Sequence, residues 1–266
     1  MTTDKGLMTF GDHLEVLRRM LMRILTVTLL CAAVIFVFKD ITFSILLSPG
    51  ECDFCTYRWI EQIMRYFDPT FAFTQFHIDL IATELSSQFM THITTSIYLA
   101  LLCTSPYILL EIFRFISPAL YKEEKKYSRH IFFIIYFLFA FGVLISYFVL
   151  FPISFRFLGT YSVADKINST ITLDSYISTF TTLTFLMGLV FQLPIIAYIL
   201  GRMGLINSSL LKRYRRHAIL IICVTGAFIT PPDIITLILV AIPLYMLYEI
   251  SIKVIQRTEH KYHKNA

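Results

Sequence analysis

Four apolar segments of this chain are each long enough to cross a lipid bilayer as an α-helix. They cover residues 20–38, 90–110, 131–155 and 176–201. A helix rises about 1.5 Å per residue, so roughly 20 apolar residues span the hydrocarbon core. Charged residues make up only 15% of the 266 residues, whereas a soluble domain carries about 25%. The sequence therefore predicts an all-α, polytopic membrane protein.

Two shorter apolar segments follow, at residues 218–230 and 234–248. As a helix, the first would reach about 20 Å, which is less than the ~30 Å thickness of the core. The pair is either re-entrant or forms two short spans that thin the bilayer locally. Basic residues beyond the far ends, at 212–216 and at Lys253, favour two spans. We predict a single integral membrane domain, residues 1–266, with six transmembrane helices, of which the last two are short.

Lysine and arginine are distributed unevenly between the loops. Eighteen of the 23 lie in the segments 1–23, 113–130, 202–216 and 252–266. Because cytoplasmic loops of membrane proteins carry the excess of positive charge, we expect both termini in the cytoplasm and the protein in the cytoplasmic (inner) membrane. The long loop 39–89 would then lie on the outer side.

The sequence lacks the motifs of several functional classes. It has no Gly-rich phosphate loop with a lysine, which argues against ATP hydrolysis, and its seven histidines are scattered. Charges deep within the spans, which would mark an ion pathway, are almost absent. We expect no enzymatic activity, no metal, no cofactor and no nucleic-acid partner.

Residues 115–126, between the second and third spans, combine Pro118 and Tyr121 with acids and lysines. Proline ends the preceding helix, and tyrosine suits the headgroup level of a membrane. One interpretation is a basic cytoplasmic anchor. Glu123 and Glu124 favour another, because carboxylates can accept arginine guanidinium groups in bidentate pairs.

The first helix begins with a charged amphipathic stretch that contains Glu15, Arg18 and Arg19. Glu15 and Arg19 are four residues apart, a spacing at which they can pair with each other on a helix. The stretch therefore either satisfies its own charges or offers them to a partner at the cytoplasmic face.

Two further positions within the spans are candidates for contacts with a partner. Gln192 and Pro194 lie in the fourth span, where an amide needs a hydrogen-bond partner, either on another protein's helix or within the chain. Tyr147 and Phe148 precede Pro152 in the third span. Packing near a bend is the simplest interpretation of this second pair.

The long outer loop contains Cys52 and Cys55, separated by two residues. They predict either a structural disulfide or a redox pair. A membrane disulfide-forming oxidoreductase is therefore one alternative function, although the other cysteines are isolated within apolar segments. A small-solute transporter is another alternative, but it would require intramembrane charge or paired broken helices.

The chain resembles the TatC family, the multi-spanning subunit of the twin-arginine protein translocase. The resemblance runs from His13 to Glu249 and is carried by short motifs in the expected order. They are His13-Leu14, Leu17-Arg18, Ser105-Pro106, residues 115–124, Gly142 with Tyr147-Phe148 and Pro152, residues 191–194, residues 230–233, and Pro243 with Tyr248-Glu249.

This resemblance implies a glove-like helical bundle with a concave face that serves as a receptor for signal peptides with paired arginines. It implies export of folded proteins driven by the proton-motive force, single-span partners of the TatA/TatB type, several copies of the chain in the complex, and contact with membrane lipid. Glu124 corresponds to a glutamate that contacts the signal peptide, and Phe115 to an aromatic residue that matters for the same recognition. Gln192 corresponds to a polar position on the concave face. Pro49 and Asp233 correspond to functional outer-loop positions.

The chain departs from the family pattern in its first helix. A second signal-binding glutamate is usual where this chain has Val16, and Glu15 lies one residue earlier. One residue turns a helix by about 100°, so Glu15 does not simply inherit that role.

Overall fold

The computed structural model describes residues 10–68, 80–116, 128–161, 170–202, 204–230 and 233–265. Almost all of these residues are helical. The helices are α1 Phe10–Val37, α2 Lys39–Leu47, α3 Cys55–Phe67, α4 Ser87–Ile116, α5 Ser128–Ile145, α6 Phe151–Thr160, α7 Leu173–Val190, α8 Leu193–Arg202, α9 Ser208–Arg213, α10 Arg215–Ile229 and α11 Ile234–Asn265. A 3₁₀ turn, Ser48–Gly50, follows α2, and a π-helical segment, Ser146–Leu150, joins α5 to α6.

Among the residues that the structure describes, five helical stretches are long and apolar enough to cross a membrane. They are Leu14–Val37, Ser87–Ile112, Phe133–Thr160, Leu173–Arg202 and Ile234–Arg257. The predicted fifth span lies in α10, a helix of 15 residues. The chain is therefore an all-α, polytopic membrane protein, as the sequence predicts.

The last helix is longer than the sequence interpretation allowed. The predicted span ended at residue 248, but α11 continues to Asn265 and has 32 residues. Glu249 does not end the apolar segment, because Ile250, Ile252 and Ile255 follow it, and the apolar stretch extends to Arg257. Ile252 and Ile255 are buried. Shortness is therefore a property of α10 and not of α11.

Proline interrupts two of the crossings. Pro152 lies in the first turn of α6, directly after the π-helical segment, and Pro194 lies at the start of α8, after a turn at Phe191 and Gln192. Proline has no N–H to donate to the carbonyl four residues earlier, so a straight helix cannot continue through it with all its bonds. The predicted fourth span is consequently two helices.

Helices α5 and α7 pack closely because each presents a glycine to the other. A Cβ atom on Gly142 would lie 2.7 Å from the carbonyl oxygen of Met187, and one on Gly188 would lie 2.6 Å from the ring of Phe139. Neither position has room for a side chain. The main apolar core lies beside this crossing and includes Phe180, buried between α6 and α7.

Two contacts join the starts of α4 and α7. The strands β1, Leu80–Ile81, and β2, Ile171–Thr172, pair in parallel just before these helices. Asp174, in the first turn of α7, accepts hydrogen bonds from the hydroxyl of Ser87 at 3.1 Å and from that of Thr91. The loops on this side of the bundle are thereby joined.

Candidate functional site

Helices α1 and α4 run antiparallel and contact each other along their length. The contacts, in order along α1, are Arg23 with Glu111, Thr28 with Thr104 (3.2 Å between hydroxyl oxygens) and Phe36 stacked on His92 (ring centroids 4.1 Å apart). We call the end of the bundle where α1 begins and α4, α8 and α11 end the basic end, because the described parts of the lysine- and arginine-rich segments lie there. The end with α2, α3 and the strand pair is the opposite end.

A cavity of about 260 Å³ lies between α1 and α4 at the basic end. We call it the α1–α4 cavity. Its lining residues are Val16, Arg19, Met20, Arg23, Glu111, Arg114 and Phe115. It therefore combines three guanidinium groups, one carboxylate and an apolar wall.

Glu111 is the buried charge of this cavity, with only 7% of its side chain exposed. Its Oε1 accepts a hydrogen bond from Nη1 of Arg114 at 3.3 Å, and its Oε2 lies 4.0 Å from Nη1 of Arg23. A carboxylate out of water needs a positive partner, because its desolvation is costly. Both arginine side chains are nearly two-thirds exposed, so their own groups remain in contact with solvent.

Glu15 pairs with Arg19 on the exposed surface of α1. This is the i,i+4 pairing that the sequence allowed as one interpretation. Glu15 does not line the α1–α4 cavity, whereas Val16 does. Arg18 is exposed on the same turn.

The sequence-predicted recognition residues are divided by the limits of the structure. Pro118, Tyr121, Glu123 and Glu124 lie outside the described residues. Phe115, half-buried in the last turn of α4, lines the α1–α4 cavity. The cavity thus lies directly before that loop in the chain.

Sequence reasoning missed Glu111 as a site residue. A single acid near the end of an apolar helix indicates a side chain that reaches the membrane surface. The residues next to Glu111 in the sequence indicate no further role for it. The available signal was its spacing, since Glu111 precedes Phe115 by one helical turn. Its partner Arg23 is 88 positions earlier, and no local pattern relates the two.

Gln192 is buried at the turn between α7 and α8. Its Nε2 donates to the carbonyl of Ile135 in α5 at 3.2 Å, so the amide nitrogen has its partner within the chain. Its Oε1 is buried without a hydrogen-bond partner among the described residues. Next to this turn, an apolar groove of about 740 Å³ runs between α5, α8 and α11 and includes Phe191 and Pro194 in its lining. We call it the α5–α11 groove.

At the opposite end, three tyrosines hold the segment that contains Pro49. Their hydroxyls donate to carbonyls as follows: Tyr147 to Ile45 at 2.8 Å, Tyr176 to Leu46 at 2.9 Å and Tyr57 to Pro49 at 3.1 Å. Burial raises the pKa of Tyr57 well above its usual value, and the nearby guanidinium of Arg156 only partly opposes this. Pro49 is buried within this arrangement.

The rings of Tyr147 and Phe148 both contact Phe54. The ring of Phe148 stacks on Phe54 with centroids 5.8 Å apart, and Tyr147 meets the same ring edge-on at 5.6 Å. Phe54 immediately precedes α3. The two side chains therefore attach the loop between α1 and α4 to the third crossing.

Asp233 and the two loop cysteines lie at the opposite end of the bundle. Oδ1 of Asp233 accepts from the N–H of Thr236 at 2.7 Å, so Asp233 caps the start of α11. Cys52 and Cys55 are thiols in the structure and not a disulfide. No cluster of metal-binding side chains occurs within the described ranges.

Comparison with known proteins decides the family. A model of the TatC family, described as Sec-independent protein translocase protein, matches residues 12–243. The chain belongs to the TatC family. The TatC of Blattabacterium sp. subsp. Periplaneta americana is 34% identical over 256 residues, which are 95% of this chain and 96% of the relative. The TatC of Carboxydothermus hydrogenoformans is 30% identical over 246 residues, with 92% and 91% covered.

The fold agrees with that of a solved TatC. A crystal structure of the twin arginine translocase receptor TatC matches with a TM-score of 0.72 at 30% identity, covering 92% of this chain and 98% of that chain. The resemblance that the motifs carried is confirmed. The two alternatives, a disulfide-forming oxidoreductase and a small-solute transporter, receive no support from these comparisons.

Proposed function

We propose that this TatC chain is the receptor subunit of a twin-arginine translocase. It binds signal peptides with paired arginines at the basic end, which faces the cytoplasm, and takes part in the export of folded proteins. Export is driven by the proton-motive force, and the chain itself is not an enzyme. The α1–α4 cavity carries this proposal, because it places a buried carboxylate and an aromatic side chain directly before residues 117–127.

The recognition chemistry follows from the residues of that region. Glu123 and Glu124 offer carboxylates beside Pro118 and Tyr121 in a loop that is otherwise basic. A guanidinium can bond both oxygens of one carboxylate in a planar fork, which an ammonium cannot do. Acids placed among lysines therefore favour paired arginines over weakly matched basic signals.

The orientation rests on the distribution of charge. Eighteen of the 23 lysines and arginines belong to the four segments at the basic end, and such loops stay in the cytoplasm. Both termini then lie on the cytoplasmic side of the inner membrane. The segment with Pro49 and the cap residue Asp233 lie on the outer side.

The partners are expected to be single-span subunits of the TatA/TatB type, together with further copies of this chain and membrane lipid. The α5–α11 groove and Pro194 in its lining form an apolar surface that suits a transmembrane helix. Gln192 lies behind this surface and has an amide oxygen that still needs a donor. A polar side chain on a partner helix could supply one after a small movement of the turn.

Cross-linking tests the receptor function. A signal peptide with paired arginines and a photoreactive group is added to membranes that contain the chain, and export of a twin-arginine reporter is measured in parallel. We expect Glu124→Ala to reduce both, while Glu84→Ala, which removes an exposed acid at the opposite end, changes neither. Wild-type cross-linking in Glu124→Ala would show that the role assigned to Glu124 is wrong.

A further inference from the structure

The contacts of Glu111 with Arg23 and Arg114 fall short of a bidentate pair. One oxygen of Glu111 accepts a hydrogen bond of 3.3 Å from Nη1 of Arg114, and its other oxygen lies 4.0 Å from Nη1 of Arg23. A bidentate arginine pair has two parallel bonds, each about 2.7–2.9 Å long. The carboxylate therefore retains acceptor capacity, although its side chain is 7% exposed.

We propose that Glu111 is a specificity-determining residue for paired-arginine signals, and that Arg114 and Arg23 are resident guanidinium groups that a signal arginine replaces. This inference rests on the proposed receptor function and adds a residue to its site. In the unoccupied receptor the two arginines neutralise the buried carboxylate. In the complex, a guanidinium of the signal peptide bonds both oxygens.

The exchange is feasible because the resident side chains have water to return to. Arg23 and Arg114 are 64% and 63% exposed, so each already contacts water and remains solvated when it leaves the carboxylate. Glu111 cannot leave, because it lies on a buried face of α4. The cavity supplies the space for the exchange, and Val16 and Met20 supply an apolar part of its wall.

The same arrangement discriminates between arginine and lysine. Any incoming cation must displace guanidinium groups that already contact the carboxylate. An arginine gains by replacing one long bond with a bidentate pair, whereas a lysine ammonium offers no fork and gains little. Arg23 and Arg114 thus raise the strength of interaction with Glu111 that a signal peptide needs in order to bind.

Glu15 does not provide this carboxylate. It is bonded to Arg19, lies on the exposed surface of α1 and is not part of the cavity lining. Among the described acids, Glu111 is the one that lines the cavity together with Phe115. Val16 faces the same cavity from the other helix.

Opposite effects of two variants test the proposal. Binding of a fluorescent peptide with paired arginines, and of its paired-lysine analogue, is measured on the purified full-length chain in lipid nanodiscs. Glu111→Gln is expected to weaken arginine-peptide binding about tenfold, as for the loss of a charge-assisted hydrogen bond, and to reduce the preference over lysine. Arg114→Gln is expected to strengthen binding, because it removes a competitor.

A purely structural role predicts a different result. If the Glu111–Arg114 pair only stabilises the helix end, both variants weaken binding, or neither does, and the proposal is wrong. Glu61→Gln is the matched control, since Glu61 pairs with an arginine at the opposite end. It should leave binding unchanged.

A double variant keeps the test informative if Glu111→Gln lowers stability. Val16→Glu with Glu111→Gln returns a carboxylate to the same cavity from α1, and we expect it to recover the preference for arginine over lysine. No recovery in a folded double variant counts against the proposal. If the wild-type chain binds neither peptide, the receptor function itself fails, whereas wild-type binding that Glu111→Gln leaves intact refutes only the role of Glu111.

Discussion

The side-chain hydroxyl of Thr56 donates a hydrogen bond to the main-chain carbonyl of Phe148. In an α-helix this carbonyl would accept from the residue four positions later, which is Pro152 and has no N–H. Helix α3, which lies in the loop between α1 and α4, thus supplies a donor at the junction of α5 and α6. The loop is joined to the third crossing at its π-helical segment.

Replacing Thr56 by valine tests this joint. The change keeps the shape of the side chain but removes the donor, so a buried carbonyl loses a hydrogen bond and the free energy of unfolding falls by about 1–2 kcal/mol. Thermal unfolding in detergent, followed by tryptophan fluorescence or thiol labelling, measures the effect. Thr56→Ser retains the hydroxyl and should melt close to the wild type. Equal melting of Thr56→Val and wild type would contradict the role of this bond.

The α5–α7 crossing predicts a steric effect at Gly188. In Gly188→Ala the new Cβ would lie 2.6 Å from the ring of Phe139, so the helices must separate, at a cost of about 1–3 kcal/mol. We expect a lower melting temperature. The double variant Gly188→Ala with Phe139→Leu removes ring atoms from the contact and should recover part of the loss. A double variant less stable than the sum of the single ones would argue against a clash.

The burial of Tyr57 predicts that the folded protein becomes less stable as the pH rises in the alkaline range. Burial raises its pKa in the folded state above the ordinary value of 10.0, so above about pH 10 the unfolded chain loses this proton while the folded chain keeps it. The stability contribution is complete below that pH and decreases as pH rises, by at most about 1.4 kcal/mol per unit. Tyr57→Phe should therefore unfold with a shallower alkaline slope than the wild type. Parallel slopes between pH 9 and 11 would refute this.

The position of Gln192 predicts an effect on assembly with a partner that can be measured separately from its effect on stability. Gln192→Leu removes the amide from the turn beside the α5–α11 groove, and we expect less co-purification of a single-span TatA/TatB-type partner. The lost bond to Ile135 also lowers stability, by about 1 kcal/mol, so co-purification is measured below the melting range of the variant. Gln62→Leu, an exposed change on α3, is the control. Wild-type co-purification by Gln192→Leu would limit Gln192 to its internal role.

The sequence predicted most of the fold because the strongest signals are local. The lengths of the apolar segments predicted the crossings, and the loop charges predicted that successive crossings alternate in direction. The contact of Arg23 with Glu111 agrees with this, because it joins the first half of α1 to the end of α4. The breaks at Ser146–Leu150 and at Gln192 were not predicted in full, because apolar composition continues through both and only the hydrogen bonding changes. The length of α11 was underestimated because the predicted span stops before Glu249, whereas the apolar stretch continues to Arg257 and the helix to Asn265.

The candidate site was predictable only in part. Phe115 was identified from its motif and does line the α1–α4 cavity. Glu111 was not, because its significance depends on Arg23 and Val16, which are distant in sequence and adjacent only after α1 packs on α4. Local patterns identify the residues of one loop, but a cavity between two helices is a property of their packing.

The contacts of Asp174 with Ser87 and Thr91, together with the strand pair just before them, have a mechanical consequence. Helices α4 and α7 are joined where they start, so any separation of the two helices has to begin at their other ends. The hinge of such a movement would lie across the membrane from Glu111. A molecule bound at the basic end would then separate the two helices there and leave the contacts of Asp174 intact.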